Sequence, residues 1–359
     1  MAITRATYCT RERVKQAADI KLTAHNDWQV DDAIEAAADA VDGLLHRVFY
    51  TTLTTRFFDW PNFQGTYPWK IYLDAAELAD VTGTVPVVTT GGSSPVTIPA
   101  ANIKWGPWNY APPYTRIELD RSSSSAFGLG NTPQQDVRIT GQFGFQDIFA
   151  PAGALAAAIS DTTSTTTQVT NGAAVGVGDV LKVDAERMLV TDKNAVSTGQ
   201  TQQGSGVSTT SKADNLLQVT DGTKFFPREV LLLDAERMLV IDIAGNNVSV
   251  QRAYDGTTIA THTGATVYAL RQLTVTRGAF GSTAATHLNA ASASIAVVPP
   301  LVRELALAEA IVEVAQQTGA YAQSQGDGES KVTKIGNGLP DLRARCYTQY
   351  GRKARQRTV

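Results

Sequence analysis

The heptapeptide Asp184-Ala185-Glu186-Arg187-Met188-Leu189-Val190 returns letter for letter at Asp234 to Val240, fifty positions further on. Identity over that length in a varied chain marks a duplication, and a duplication confines the middle of the protein to a repeated supersecondary unit. A second echo has a different offset: Val248 to His262 matches Leu273 to His287, twenty-five positions apart. Simple tandem copies would share one offset. Nesting accounts for both, with a second unit of about 214 to 270 inserted into a first unit of about 159 to 193 plus 271 to 296. Each unit reads as a strand, a turn and a hairpin that carries the heptapeptide. The stretch 197 to 214 is rich in Ser, Thr, Gln and Gly without apolar periodicity and reads as a linker.

The flanks have other periods. Thr10 is placed to cap a helix through Val14, Ala17, Ala18 and Leu22. From Asp27, the residues Val30, Ala33, Ile34, Ala37, Val41, Leu44, Leu45 and Val48 form one helical stripe, whose opposite face carries Asp31, Asp32, Glu35, Asp39 and Asp42. Between Arg56 and Phe149 the pattern alternates as in strands, with Gly, Pro and Ser clusters as punctuation, so a small antiparallel β domain is expected. It holds Trp60, Trp69, Trp105 and Trp108, aromatics that either fill a small core or stack on sugar rings. After the repeats, Pro299-Pro300 pre-sets a helix along Leu301, Leu305, Ala308, Val312 and Ala315 that stops at Gly319. Residues 323 to 338 are polar and glycine-rich, and a last short helix is expected over 340 to 350. The fold class expected from these signals is α+β: a helical core from both ends of the chain, a small antiparallel β domain and a nested, duplicated all-β insert. The expected boundaries are 1-55, 56-149, 150-297 and 298-359.

Candidate chemistry concentrates in the repeats. Asp184 with Glu186, and Asp234 with Glu236, share one face of a strand, as two catalytic carboxylates would need to do across a substrate. Their duplication beside Arg277 and Arg252 argues instead for structural ion pairs, Glu186 with Arg277 and Glu236 with Arg252. His262 and His287 hold equivalent positions, but no third or fourth ligand is grouped with either, so no metal is expected. No nucleotide-binding glycine loop, nucleophile elbow or Cys/His constellation is present, and neither a cofactor nor an enzymatic activity is expected. Cys9 and Cys346 lie near opposite ends without CxxC spacing, which suits a reducing compartment or an assembled particle. Met1 to Lys15 lacks the apolar run of a signal peptide, and the expectation is neither secretion nor membrane insertion.

Charge is uneven. From Leu342 onward there are six basic residues, Arg343, Arg345, Arg352, Lys353, Arg355 and Arg357, and no acid; removing them from the 31 leaves 25 basic against 34 acidic residues, so the body carries -9 and the tail +6. Such a tail suits nucleic-acid phosphates or an acidic protein surface, and the acidic helix face 31 to 42 favours protein.

Several of these segments together resemble a known family. Thr10-x-x-x-Val14-Lys15-x-Ala17, the helix ending Leu44-Leu45-His46-Arg47-Val48-Phe49-Tyr50, the strand ending Thr140-Gly141-Gln142-Phe143-Gly144-Phe145, the Pro299 to Ala306 helix and Tyr350-Gly351-Arg352-Lys353-Ala354-Arg355 are similar to head-to-tail connector, or adaptor, proteins of long-tailed bacteriophages, especially those of actinobacterial hosts. The resemblance implies a structural virion protein, assembled in the host cytoplasm and located at the neck. It implies a homo-oligomeric ring, commonly a dodecamer, with a helical body. The partners it implies are a portal protein above, a tail-side neck or tail terminator protein below, and genomic DNA passing through the channel. In such a ring the basic tail of one subunit would meet the acidic face of the next. The β insert departs from minimal adaptors, which pass from the Gly144-Phe145 strand almost directly to the proline-led helix. The alternative reading is a carbohydrate- or host-surface-binding virion protein that uses the aromatic β domain or the repeats.

Overall fold

The computed structural model describes residues 3–17, 27–60, 67–109, 112–318 and 338–352. Its helices are α1 (Arg11–Ala17), α2 (Asp27–Leu45), α3 (Pro300–Thr318) and α4 (Leu339–Tyr350). Eight strands lie between α2 and the repeats: β1 (Thr52–Phe58), β2 (Lys70–Tyr72), β3 (Leu78–Asp80), β4 (Val87–Thr90), β5 (Val96–Ile98), β6 (Ile103–Gly106), β7 (Arg116–Leu119) and β8 (Val137–Phe143). Ten more follow: β9 (Phe149–Ala154), β10 (Thr166–Gln168), β11 (Val180–Val183), β12 (Glu186–Gln203), β13 (Leu216–Val219), β14 (Val230–Leu233), β15 (Glu236–Ala244), β16 (Asn247–Gln251), β17 (Thr266–Thr276) and β18 (Ser292–Ala296).

The expected α+β fold around a helical connector core is overturned. Strand makes up 35% of the protein against 21% helix, and six strands close into a barrel. The helical stripes at both ends do form helices, but they are short relative to the β structure they flank. Even α2 ends sooner than its stripe, which continues to Val48. His46 turns into the left-handed region at φ 51, and the Arg352 N–H caps the Leu45 carbonyl at 3.0 Å.

The chain forms two compact units whose limits cross the expected boundaries. One contains Met1–Val41, Phe149–Ala279 and Thr283–Arg345; the other contains Asp42–Ile148, Phe280–Ser282 and Cys346–Val359. In the second unit, a five-stranded sheet (β1-β8-β4-β5, with β3 also on β8) and a three-stranded sheet (β2-β7-β6) contribute to one core. Ile71, Leu78, Ile117, Val137 and Ile139 form its centre, and Trp60, Trp69 and Trp105 pack against it. Filling a small sandwich is therefore what three of the four tryptophans of this domain do.

In the first unit, the ten later strands form one sheet folded into two rings. β12, β13, β16, β15, β14 and β17 close into a six-stranded barrel because β17 pairs with both β14 and β12. β9, β10, β17, β12, β11 and β18 form the second ring, whose ends are joined by the Thr170 N–H to Ala154 O bond at 2.9 Å and the Ala156 N–H to Gln168 O bond at 2.8 Å. The two rings share β12 and β17, paired from Leu189 with Thr276 to Thr201 with Thr266. The repeat explains the geometry residue by residue. Val183 pairs with Glu186 across a two-residue turn and Leu233 with Glu236 across another, and the turn residues Asp184 (φ 51) and Asp234 (φ 50) both take the left-handed conformation that Asp tolerates. Each ladder also carries a register shift at the same place, between Val190 and Asp192 and between Val240 and Asp242. The cores match as well: Leu181, Met188 and Val190 fill one ring, and Leu231, Met238 and Val240 fill the other. The first seven residues of the expected linker, Ser197 to Gln203, are strand, since β12 runs to Gln203.

Candidate functional site

The repeated carboxylates lie at one end of each barrel, where the hairpin turn places them against the second repeated segment. Glu186 is bound side-on by Arg277, with Nε to Oε1 at 2.7 Å and Nη2 to Oε2 at 2.8 Å. The Gly278 and Ala285 N–H groups donate to the same carboxylate at 3.0 and 2.9 Å. His287 sits between the two acids, its Nε2 2.9 Å from Glu186 and its Nδ1 2.7 Å from Asp184. The second copy repeats this lattice. Arg252 binds Glu236 at 3.0 and 2.7 Å, Ala253 and Ala260 each donate at 2.9 Å, and His262 bridges Glu236 at 3.0 Å and Asp234 at 2.7 Å.

This geometry decides what the pair can do. Glu186 and Glu236 are buried, and burial alone would raise their pKa; the arginine, the two backbone donors and the histidine outweigh it and hold each down to about 2. Both oxygens of each glutamate are filled by donors of the chain itself, which leaves neither placed to attack or protonate a substrate. Asp184 and Asp234 stay 65% exposed and face solvent beyond the histidine. The lattice ties the hairpin turn to the loop after the arginine, and each arginine also donates Nη1 to a carbonyl of a third segment, Ser164 at 3.2 Å in one copy and Thr209 at 2.7 Å in the other. Among the described residues no group of three or more His, Cys, Asp or Glu is arranged to hold a metal ion.

The acidic face of α2 is largely occupied from within the chain. Asp31 is buried and bound side-on by Arg11 at 2.7 and 2.6 Å. Glu35 accepts from Thr4 Oγ1 at 2.9 Å and from the Arg5 N–H at 3.2 Å, and Asp39 pairs with Arg5. Asp32 is exposed and Asp42 half-buried. Arg11 also reaches Asp192 at 2.9 Å, and Lys15 binds Asp27 and, at 2.8 Å, Asp255. A solvated docking face is thus replaced by an internal one, on which α1 ties α2 to both barrel copies. The signal was present in the sequence as basic residues at 5, 11 and 15, but only the fold brings them to the acids. Of the tail cations, Arg343 pairs with Glu309 on α3 at 2.5 and 2.7 Å, Arg345 is exposed, and Arg352 is half-buried at the end of α2; Lys353, Arg355 and Arg357 lie outside the described residues.

A third cluster was not singled out by charge or repeat. In the second unit the Phe49, Phe145 and Tyr350 rings meet with centroids 5.1, 5.8 and 6.2 Å apart, two of the three contacts edge-to-face. Arg47 lies over the Phe145 ring at 5.3 Å and donates to the Tyr350 carbonyl at 2.9 Å and to Glu77 at 3.0 Å. The Phe145 N–H donates to Val48 O at 3.1 Å, so three segments far apart in sequence are pinned at one point. Both cysteines are buried and free, and burial pushes the Cys9 thiol up to about 12. Among the described residues no helix is long and apolar enough to cross a membrane.

Comparison with protein-family models, with curated proteins and with solved structures finds no match.

Proposed function

We propose that this chain is a structural subunit of the head-to-tail connector of a tailed bacteriophage, one of a ring of identical subunits between a portal protein and the tail-side neck. One observation carries the reading. Three of the segments that resemble connector proteins, Leu44 to Tyr50, Thr140 to Phe145 and the stretch beginning at Tyr350, converge on the Phe49, Phe145 and Tyr350 cluster, capped by the Arg352 to Leu45 hydrogen bond of 3.0 Å. Residues that share one packing point constrain one another's side chains, which gives their joint resemblance a physical basis. The saturated lattices of Glu186 and Glu236 support a non-enzymatic role, since the acids placed most like a catalytic pair are committed to tying each hairpin turn to its neighbouring loop.

The corrected fold alters the picture of the ring. A subunit of this kind is chiefly β, and α1 belongs to the barrel unit through Lys15 and Asp255, so the repeats are part of the body rather than a removable decoration. The basic tail keeps its role as a contact with an acidic partner surface, but the partner surface is another protein's or an exposed acid such as Asp32, because Asp31, Glu35 and Asp39 already have partners. The test is electron microscopy of the full chain mixed with the portal protein of the same phage. A ring seated on the tail-facing end of the portal supports the reading; a chain that stays unbound overturns it.

A further inference from the structure

The second unit carries a groove that the connector reading does not use. It is a concavity of about 330 Å³ lined by Val81, Ile103, Lys104, Trp105, Trp108 and Tyr114, at the small end of the range for ligand sites. Trp60, Trp69 and Trp105 pack against the core of this unit, whereas Trp108 is 63% exposed. The platform is rigid: Trp105 lies on β6 opposite Ile117 of β7, and Tyr114 is fixed by reciprocal backbone bonds to Leu78 of 2.8 and 3.0 Å. Lys104, which lines the groove, has its Nζ 3.5 Å from Asp120 Oδ2, while Asp120 Oδ1 is held by the Ser122 N–H at 3.0 Å and hydroxyl at 2.7 Å.

We propose that this groove binds a saccharide, with a pyranose ring stacked on Trp108 beside Trp105 and Tyr114 and neighbouring hydroxyls shared between Lys104 and Asp120. A pyranose offers an apolar C–H face and adjacent hydroxyls that both donate and accept, which matches an indole face flanked by an ammonium and a carboxylate side by side. A competing occupant fits less well. A single strand of nucleic acid stacks on aromatics but needs a basic track for its phosphates, and here Asp120 offsets Lys104.

The experiment is saturation-transfer NMR on the full chain with cellobiose, maltose, lactose and N,N'-diacetylchitobiose as probes. At least one receives saturation at its ring protons, with a Kd on the order of millimolar. Trp108→Ala lowers that affinity by roughly tenfold or more, Trp108→Tyr keeps most of it, and Lys104→Met lowers it several-fold, all with the thermal midpoint of the parent. The proposal is overturned if none of the four probes receives saturation, if transfer persists undiminished in Trp108→Ala, or if a proline-rich peptide proves to be the ligand that Trp108 holds.

Discussion

In the first barrel the turn before β11 reads Gly176-Val177-Gly178-Asp179; in the second, the turn before β14 reads Phe226-Pro227-Arg228-Glu229. The Thr7 N–H donates to the Gly178 carbonyl at 3.0 Å, and a Cβ at Gly178 would lie 2.0 Å from Thr7 Oγ1. At the equivalent place Arg228 sends its guanidinium to Gln16 at 3.2 and 3.0 Å. The loops of the second repeated segment diverge in the same way. Their left-handed tip is Phe280 (φ 55) in one copy and Asp255 (φ 56) in the other. Phe280 packs 6.4 Å from the Tyr50 ring and accepts from the Leu53 N–H at 2.9 Å, while Asp255 takes Lys15 and Arg237. Against these differences the Glu, Arg and His lattices agree bond for bond. Duplication has kept what ties the hairpin turn to its loop and changed what each copy meets.

The largest effects test the shared lattice. Glu186→Gln and Glu236→Gln each leave a buried arginine without its charge partner and should each cost about 3 to 5 kcal/mol in denaturant unfolding. Because the two sites have the same donors, the two costs should agree within about 1 kcal/mol; a lattice that mattered in one copy alone would break the equivalence.

Acid should undo both sites together. A carboxylate whose folded pKa is depressed contributes stability that is complete above its unfolded pKa and is lost as pH falls toward the folded one. For Glu186 and Glu236 that window runs from 4.5 down to about 2, with about 3 kcal/mol each at stake. Stability curves from pH 6 to 2 check this: the parent should lose stability steeply below 4.5, and the double variant should show a much flatter acid limb.

The divergent faces predict smaller, opposite effects. Gly178→Ala puts a Cβ both at φ 99 and against Thr7, and should cost about 1 to 3 kcal/mol. Arg228→Gly relieves a left-handed arginine at φ 72 and should change stability by less than about 1 kcal/mol. Thermal unfolding of the two variants side by side decides whether the turn differs between copies as described.

The smallest effect concerns the acids that follow those turns. Burial, reinforced by the nearby Glu12, pushes Asp179 up to about 7, whereas Glu229 is bound side-on by Arg271 at 2.7 and 2.9 Å. A raised acid disfavours folding as pH climbs from 3.8 through 7, so Asp179→Asn should gain about 1 kcal/mol at pH 8 and little at pH 4. Glu229→Gln should lose stability at pH 8; a gain there would remove the contrast.

The internal half of this comparison was legible in the sequence, because identical heptapeptides and the paired Arg and His at an offset of twenty-five force equivalent contacts. The backbone donors at Gly278, Ala285, Ala253 and Ala260 were not, since any residue supplies an N–H. Barrel closure was hidden for a related reason. Beyond Val196, β12 is held by its backbone ladder to β17 rather than by an alternating apolar face, so Ser197 to Gln203 looked like a linker. The acidic face of α2 was expected to dock a neighbour's basic tail because its partners, Arg5, Arg11 and Lys15, lie on a separate segment, and pattern within one helix carries no record of what packs on it. The α+β expectation failed by weight rather than by period: the helices exist, but closure of strands organises most of the chain.

Whether the two copies are one body or two modules on a tether turns on the place where one copy passes into the other. Amide hydrogen exchange at Lys193 to Ser197 and at Ala269 to Arg271 measures it directly. With β12 and β17 paired across that junction, as in Asn194 with Gln272 and Ala195 with Leu270, these amides should exchange as slowly as those of Leu181 and Leu231 in the barrel cores. Exchange at the rate of an open chain would contradict the shared-strand architecture and make the two copies modules on a tether.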